Sequence, residues 1–209
     1  MMVDFIEFCK SLKCIETPED LSKRCYDIAN LLFKHYGLKC GDNYFHFAEI
    51  EFYYFRSDKF NDSWNTITYP RQDKRCGQLF YHLSGVDICF DSHYDNHFAE
   101  FGGILIRSLT SDEEGKKSVI FGPLTCKNEI LNKCETMMPV ICKYDEEYQC
   151  EIAATDMCGI PKEKQKGMKL CFYDKSIGIE NWTRRTEVFN YKTMKIAPYC
   201  SKYKTNRFE

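Results

Sequence analysis

Glu49 and Glu51 stand two residues apart in the stretch AEIEFYYF, and Tyr53 follows two further on. A strand, in which side chains alternate, sets these three in a row on one face. A carboxyl held beside aromatic rings can have a raised pKa or act as a general base on a water. The same pattern also describes a solvated outer face whose acids discourage aggregation. Periodicity puts Glu49, Glu51, Tyr53 and Phe55 on that face and Ile50, Phe52 and Tyr54 on the core face, and it leaves both readings open.

Two further stretches place polar residues among apolar ones. In GQLFYHLSGVDICF, His82, Ser84 and Asp87 interrupt two strands joined around Gly85. In GGILIRSL, Arg107 follows residues that read as buried strand. A guanidinium there needs an acid, a phosphate or carbonyl groups to satisfy it. His82 and Asp87 beside Arg107 would suit acid/base work on a small substrate.

The elements that must position these residues are short. Thr17 before Pro18, Glu19 and Asp20 is a helix start; Leu21, Cys25, Ile28 and Leu32 then line one face, and Gly37 is the expected stop. Strands are expected at 44–55, 78–83, 86–90, 103–109, 150–155, 169–173 and 187–196, separated by Gly, Pro, Asn and Asp. GPLTCKNEILNKC reads as a helix opening at Gly122 and Pro123. The sum is an α+β single domain over residues 1–209, with a curved, mostly antiparallel sheet or open barrel flanked by helices. Residues 1–37 form its helical N-terminal segment.

Composition narrows the classes. The chain of 209 residues is 44% hydrophobic and 29% charged, as in ordinary globular proteins, and it contains no apolar run near the roughly 20 residues that span a bilayer. Neither a basic leader nor a cleavage site opens it, so a cytoplasmic location with no membrane partner is expected. The thirteen cysteines are then reduced thiols packed as small hydrophobes. Cys126, Cys134, Cys142, Cys150 and Cys158 recur every eight residues, but no CxxC pair accompanies them and the spacing reads as coincidence; no metal and no cofactor is expected. Net charge is −2, yet residues 162–209 carry 12 Lys and Arg against 5 Asp and Glu. This basic C-terminal segment could neutralise phosphates or simply be solvated.

The order of blocks resembles the alkyladenine type of 3-methyladenine DNA glycosylase, with its E-x-E-A-Y strand, T-P-R-N loop, G-x-L-Y-V-Y strand, L-x-R-A strand end, G-P-x-x-L helix start and late R-F-Y strand. The corresponding residues are Glu49, Glu51 and Tyr53; Tyr69, Pro70 and Arg71; Gly77, Leu79, Phe80, Tyr81 and His82; Ile104 to Arg107; Gly122 and Pro123; and, late, Gly159, Ile160 and Leu170 to Tyr173. The match spans roughly residues 44 to 175 and is closer still to bacterial glycosylase-like proteins with a Y-H-x-S-G-x-D-I strand pair.

The resemblance implies an N-glycosidic bond hydrolase releasing a modified purine from DNA, as in base excision repair. Glu51 would be the general base that activates water, Tyr53 would stack on an extruded base, His82 would replace a second stacking aromatic, and Asp87 would join the pocket. Arg107 and Arg71 would meet the nucleic-acid backbone. Departures are equally specific. Ser84 stands where the family inserts a tyrosine into the duplex, a pocket histidine falls near Asp62, and Gln72 replaces the loop asparagine. A module that binds a base, a nucleotide or another small ligand without cutting it is the alternative from another class.

Overall fold

The computed structural model describes residues 3–60, 74–113, 116–134, 138–155, 170–177, 185–190 and 195–200. In chain order these form α1 (Val3–Lys10), a 3-10 turn (Ser11–Cys14), α2 (Pro18–His35), β1 (Tyr36–Cys40), β2 (Asn43–Arg56), β3 (Leu79–His82), β4 (Gly85–Cys89), β5 (His93–Tyr94), β6 (Ala99–Glu113) and β7 (Lys116–Phe121). There follow α3 (Pro123–Lys133), β8 (Val140–Lys143), β9 (Ile152–Thr155), β10 (Cys171–Asp174), β11 (Arg185–Asn190) and β12 (Lys195–Cys200).

α2 begins as its sequence dictates. The Thr17 side chain accepts from the Asp20 backbone N–H at 3.1 Å, and Pro18 occupies the first turn, where a missing N–H costs nothing. Leu21, Cys25, Ile28 and Leu32 are buried with Ala29 and Phe33. Gly37 is not the stop. The helix ends at His35 and the chain enters β1 directly, because Tyr36 is already extended. Gly37 serves close packing instead: a side chain there would collide with the Tyr144 ring and the Phe45 carbonyl.

Ten strands form one curved antiparallel half-barrel along the path β3-β4-β6-β2-β1-β8, with β5 and β7 on β6 and β9-β10 attached to β2. β2 is the trunk. One edge pairs with β6 along nearly its whole length, while the other is shared by β1 at Asn43–His46 and β10 at Glu49–Glu51. β1, β5, β7 and β8 were not foreseen among the strands, being short or interrupted by glycine and lysine. Of residues 187–196, expected as one strand, 187–190 lie in β11 and 195–196 in β12, which pair antiparallel as a separate two-stranded sheet. Both faces of β2 are covered: from Phe47 to Tyr54 every residue is buried, the two glutamates included. The solvated-face reading of AEIEFYYF is therefore excluded.

The β2/β6 ladder is irregular at one place. Phe47 pairs with Leu109, Glu49 with Ser108, and Ile50 with Ile106, so the register shifts on both sides of Glu49. Such a bulge re-aims side chains locally. Its consequence is chemical, because it falls between the carboxyls of β2 and the guanidinium of β6.

Candidate active site

One row of paired residues crosses five strands. Phe80 of β3 pairs with Asp87 of β4, Asp87 with Leu105 of β6, Leu105 with Glu51 of β2, and Glu51 with Cys171 of β10. Directly paired residues in antiparallel strands share a face. Neighbouring positions add His82, Tyr53, Glu49 and Arg107 to the same face. The sheet thus gathers Glu51, Tyr53, His82, Asp87 and Arg107, five of the six residues singled out in the sequence. Arg71, the sixth, lies outside the described residues, as do Asp62 and Gln72.

At the closed end, Arg107 is clamped by acids. Its Nε donates to Glu49 Oε1 at 3.0 Å and its Nη1 donates to Glu51 Oε2. Ser108 Oγ donates to Glu49 Oε2 at 3.1 Å. Adjacent residues on a strand ordinarily point to opposite faces, so Arg107 and Ser108 can both reach Glu49 because of the bulge. Cys171 Sγ adds a long, weak contact of 3.9 Å to Glu49. Of the partners that Arg107 could take, acid, phosphate or carbonyl, two acids are present. A phosphate would have to compete with two buried carboxyls that already occupy Nε and Nη1.

Charge does not balance on this face: three carboxyls, Glu49, Glu51 and Asp87, face one guanidinium. Unbalanced charge in a dry interior is costly, and the usual relief is to retain a proton. Glu51 is the carboxyl whose pKa moves that way. Burial raises its pKa above the ordinary carboxyl value, the Arg107 charge and hydrogen bond oppose this, Glu49 raises it again, and Tyr53 lowers it slightly. Glu51 Oε1 is buried with no hydrogen-bond partner. The Tyr53 phenol is pushed well above its usual range, first by burial and then by the negative charge of Glu51.

At the open end, His82 Nε2 lies 3.1 Å from Asp87 Oδ2, with the Asp87 side chain wholly buried and that of His82 24% exposed. The pair is at ion-pair distance, off the line of a full hydrogen bond. Ser84 Oγ, exposed in the β3–β4 turn, lies 3.1 Å from the other ring nitrogen, Nδ1. The Phe80 ring stacks on His82 at 5.8 Å. α3 secures this turn. Lys127 Nζ donates to the carbonyls of His82 and Leu83 at 2.9 and 3.0 Å, and a Cβ on Gly85 would come within 2.9 Å of Pro123 and 2.8 Å of Leu105. A glycine between the strands is what lets the hairpin seat against the helix.

Sequence reasoning missed Ser108, Lys127 and the central part played by Glu49, to which it assigned no role of its own. Glu49 had a signal, since it shares its face with Glu51. Lys127 had none, because its contacts are to backbone carbonyls more than forty positions away. Among the described residues, no group of three His, Cys, Asp or Glu is arranged to hold a metal ion, and Cys9, Cys25, Cys40, Cys89, Cys126 and Cys171 are buried. No described helix is long and apolar enough to cross a membrane. Comparison with family models, with curated proteins and with solved structures returned no match.

Proposed function

We propose that the protein is an acid/base enzyme for a small substrate, with His82 as the proton-transfer group and Asp87 as its orienting partner. The observation that carries this reading is the contrast in exposure across a 3.1 Å contact: a carboxyl with no access to water behind an imidazole that has it. A buried carboxylate favours the imidazole tautomer with its proton on the nearer nitrogen, leaves the other nitrogen as acceptor, and stabilises the imidazolium formed when that nitrogen takes a proton. Glu49, Glu51 and Arg107 lie behind the pair as a buried, hydrogen-bonded base that fixes the sheet beneath it. The test is a panel of small esters, amides and nucleosides. His82→Ala is expected to lower turnover by about 10²-fold or more, and more completely than Glu51→Gln does. Turnover that depends on Glu51 and not on His82 would remove the proposal.

A second reading, N-glycosidic hydrolysis of a modified purine with Glu51 as general base and DNA or a nucleobase-containing ligand as partner, is favoured by one observation. Glu51 keeps an unpartnered oxygen and a raised pKa, as a base awaiting a water would. Release of free base from alkylated or deaminated single- or double-stranded DNA, lost in Glu51→Gln, would support it. Saturable binding of a nucleoside that leaves the ligand intact and survives Glu51→Gln would instead indicate a binding module.

A further inference from the structure

We propose that Ser84 is a covalent nucleophile, so that Ser84, His82 and Asp87 form a relay for acyl transfer from small, activated carboxylic esters to water. The inference rests on the reading of His82 as the proton-transfer group and adds to it the attacking atom and the substrate class. Two contacts and one exposure carry it. Asp87 Oδ2 stands 3.1 Å from His82 Nε2, His82 Nδ1 stands 3.1 Å from Ser84 Oγ, and Ser84 is exposed where a substrate can approach. A serine beside a histidine within one turn is often only a polar turn contact. Here the histidine is backed from the next strand by a wholly buried carboxyl, which such a contact does not need. The off-line Asp87 contact is of the kind that tightens when substrate binds.

The tautomer follows from the geometry. With the imidazole proton on Nε2, toward Asp87, Nδ1 is an acceptor and the Ser84 hydroxyl donates to it. Ser84 Oγ then attacks the ester carbonyl carbon while its proton passes to Nδ1. The tetrahedral oxyanion collapses, the ester C–O bond breaks, and the leaving alcohol takes the proton from Nδ1. Water repeats the sequence on the acyl-serine: its proton goes to Nδ1, the acyl–Oγ bond breaks, and Ser84 regains the proton as the acid departs. Lys127 donates to the carbonyls of His82 and Leu83, the two residues before Ser84, and so steadies the turn that carries the nucleophile. Leu83, 91% exposed at the same tip, offers apolar surface to a short acyl chain.

The experiment uses the full chain with p-nitrophenyl acetate, and a fluorophosphonate as covalent probe. Wild type should give a burst of nitrophenol matching the protein concentration, with acetyl and phosphonyl adducts mapped to Ser84 by peptide mass spectrometry. Ser84→Ala, an exposed change whose folding circular dichroism can verify, should lose both adducts and at least about 10²-fold in rate. His82→Ala should lose the burst although Ser84 is present. Hydrolysis that persists in Ser84→Ala yet vanishes in His82→Ala would overturn the nucleophile and leave the acid/base reading standing. Adducts on Ser84 that form equally fast without His82 would overturn the relay and that reading together. The lack of any adduct on Ser84 in wild type would overturn the nucleophile.

Discussion

Arg56 and Arg107 are both buried arginines on the two central strands, and they are satisfied in opposite ways. Arg56, at the end of β2, donates to the Ile15 carbonyl at 2.6 Å and to Asp58 at 2.7 Å, with Glu16 at 3.7 Å. Its acid partners are 46% and 61% exposed, so water shares the charge. Arg107 meets two carboxyls that are each 1% exposed, and water shares nothing. The first arrangement fastens a loop: the Arg56 bond to the Ile15 carbonyl and the Tyr54 hydroxyl, 3.3 Å from the Leu12 carbonyl, tie the segment after α1 to the sheet, while Tyr54 Oη also donates to Glu100 Oε1 at 2.6 Å within the sheet. The second concentrates acids with a shared cation under a face that also carries His82 and Asp87. Equal burial therefore does not mean an equal role; the solvation of the partner decides.

The largest expected effect separates the two. Arg107→Met should cost about 3–5 kcal/mol, because it strands two buried carboxyls. Arg56→Met should cost only about 1–3 kcal/mol, since its acids turn to water and mainly the Ile15 carbonyl loses a buried donor. Combining Arg107→Met with Glu49→Gln and Glu51→Gln should recover most of the first loss, as whole buried ion networks can be replaced at little cost. Urea denaturation at constant m-value measures all three. If Arg107→Met proved no worse than Arg56→Met, the cluster would not hold ionised groups.

A smaller effect tests the loop-fastening side. Tyr54→Phe removes one hydrogen bond to a buried carboxyl and should lower stability by about 1.5 kcal/mol. Protease should also cut sooner between α1 and α2, since the Tyr54 hydroxyl lies 3.3 Å from the Leu12 carbonyl. Neither change should touch the turnover attributed to His82. Loss of that turnover in Tyr54→Phe would mean that the two regions are coupled.

The contrast was half legible beforehand. Alternation in AEIEFYYF placed Glu49, Glu51 and Tyr53 on one face correctly, because period two is a property of the strand itself. That face proved to be interior because other segments cover it, and α3 does so through contacts far apart in sequence. Arg107 declared its need for a partner through the apolar run before it, but the bulge that lets Ser108 join it depends on the register of two strands 58 positions apart. Arg56 gave no comparable signal. It ends β2 where a surface residue would be unremarkable, and its burial comes from Ile15, forty-one positions earlier.

The smallest effect is one of sign. Glu51 has its folded pKa raised above the ordinary 4.5, chiefly by burial, so between the unfolded and folded values the folded chain holds a proton there that the unfolded chain has released. The stability this contributes is complete below the unfolded value and is lost as pH rises through the folded pKa. Asp58 is the opposite case, since its hydrogen bond to Arg56 lowers its pKa below the ordinary 3.8. Its contribution is present above that value and is lost as pH falls through the folded pKa. Glu51→Gln should therefore gain on wild type as pH is raised from the acid range toward neutrality, whereas Asp58→Asn should differ from wild type least at the acid end and lose ground above it. Denaturation midpoints across that range read both slopes. Parallel slopes in the two variants would mean that Arg56 and Arg107 sit in the same electrostatic environment, which the exposure of their partners argues against.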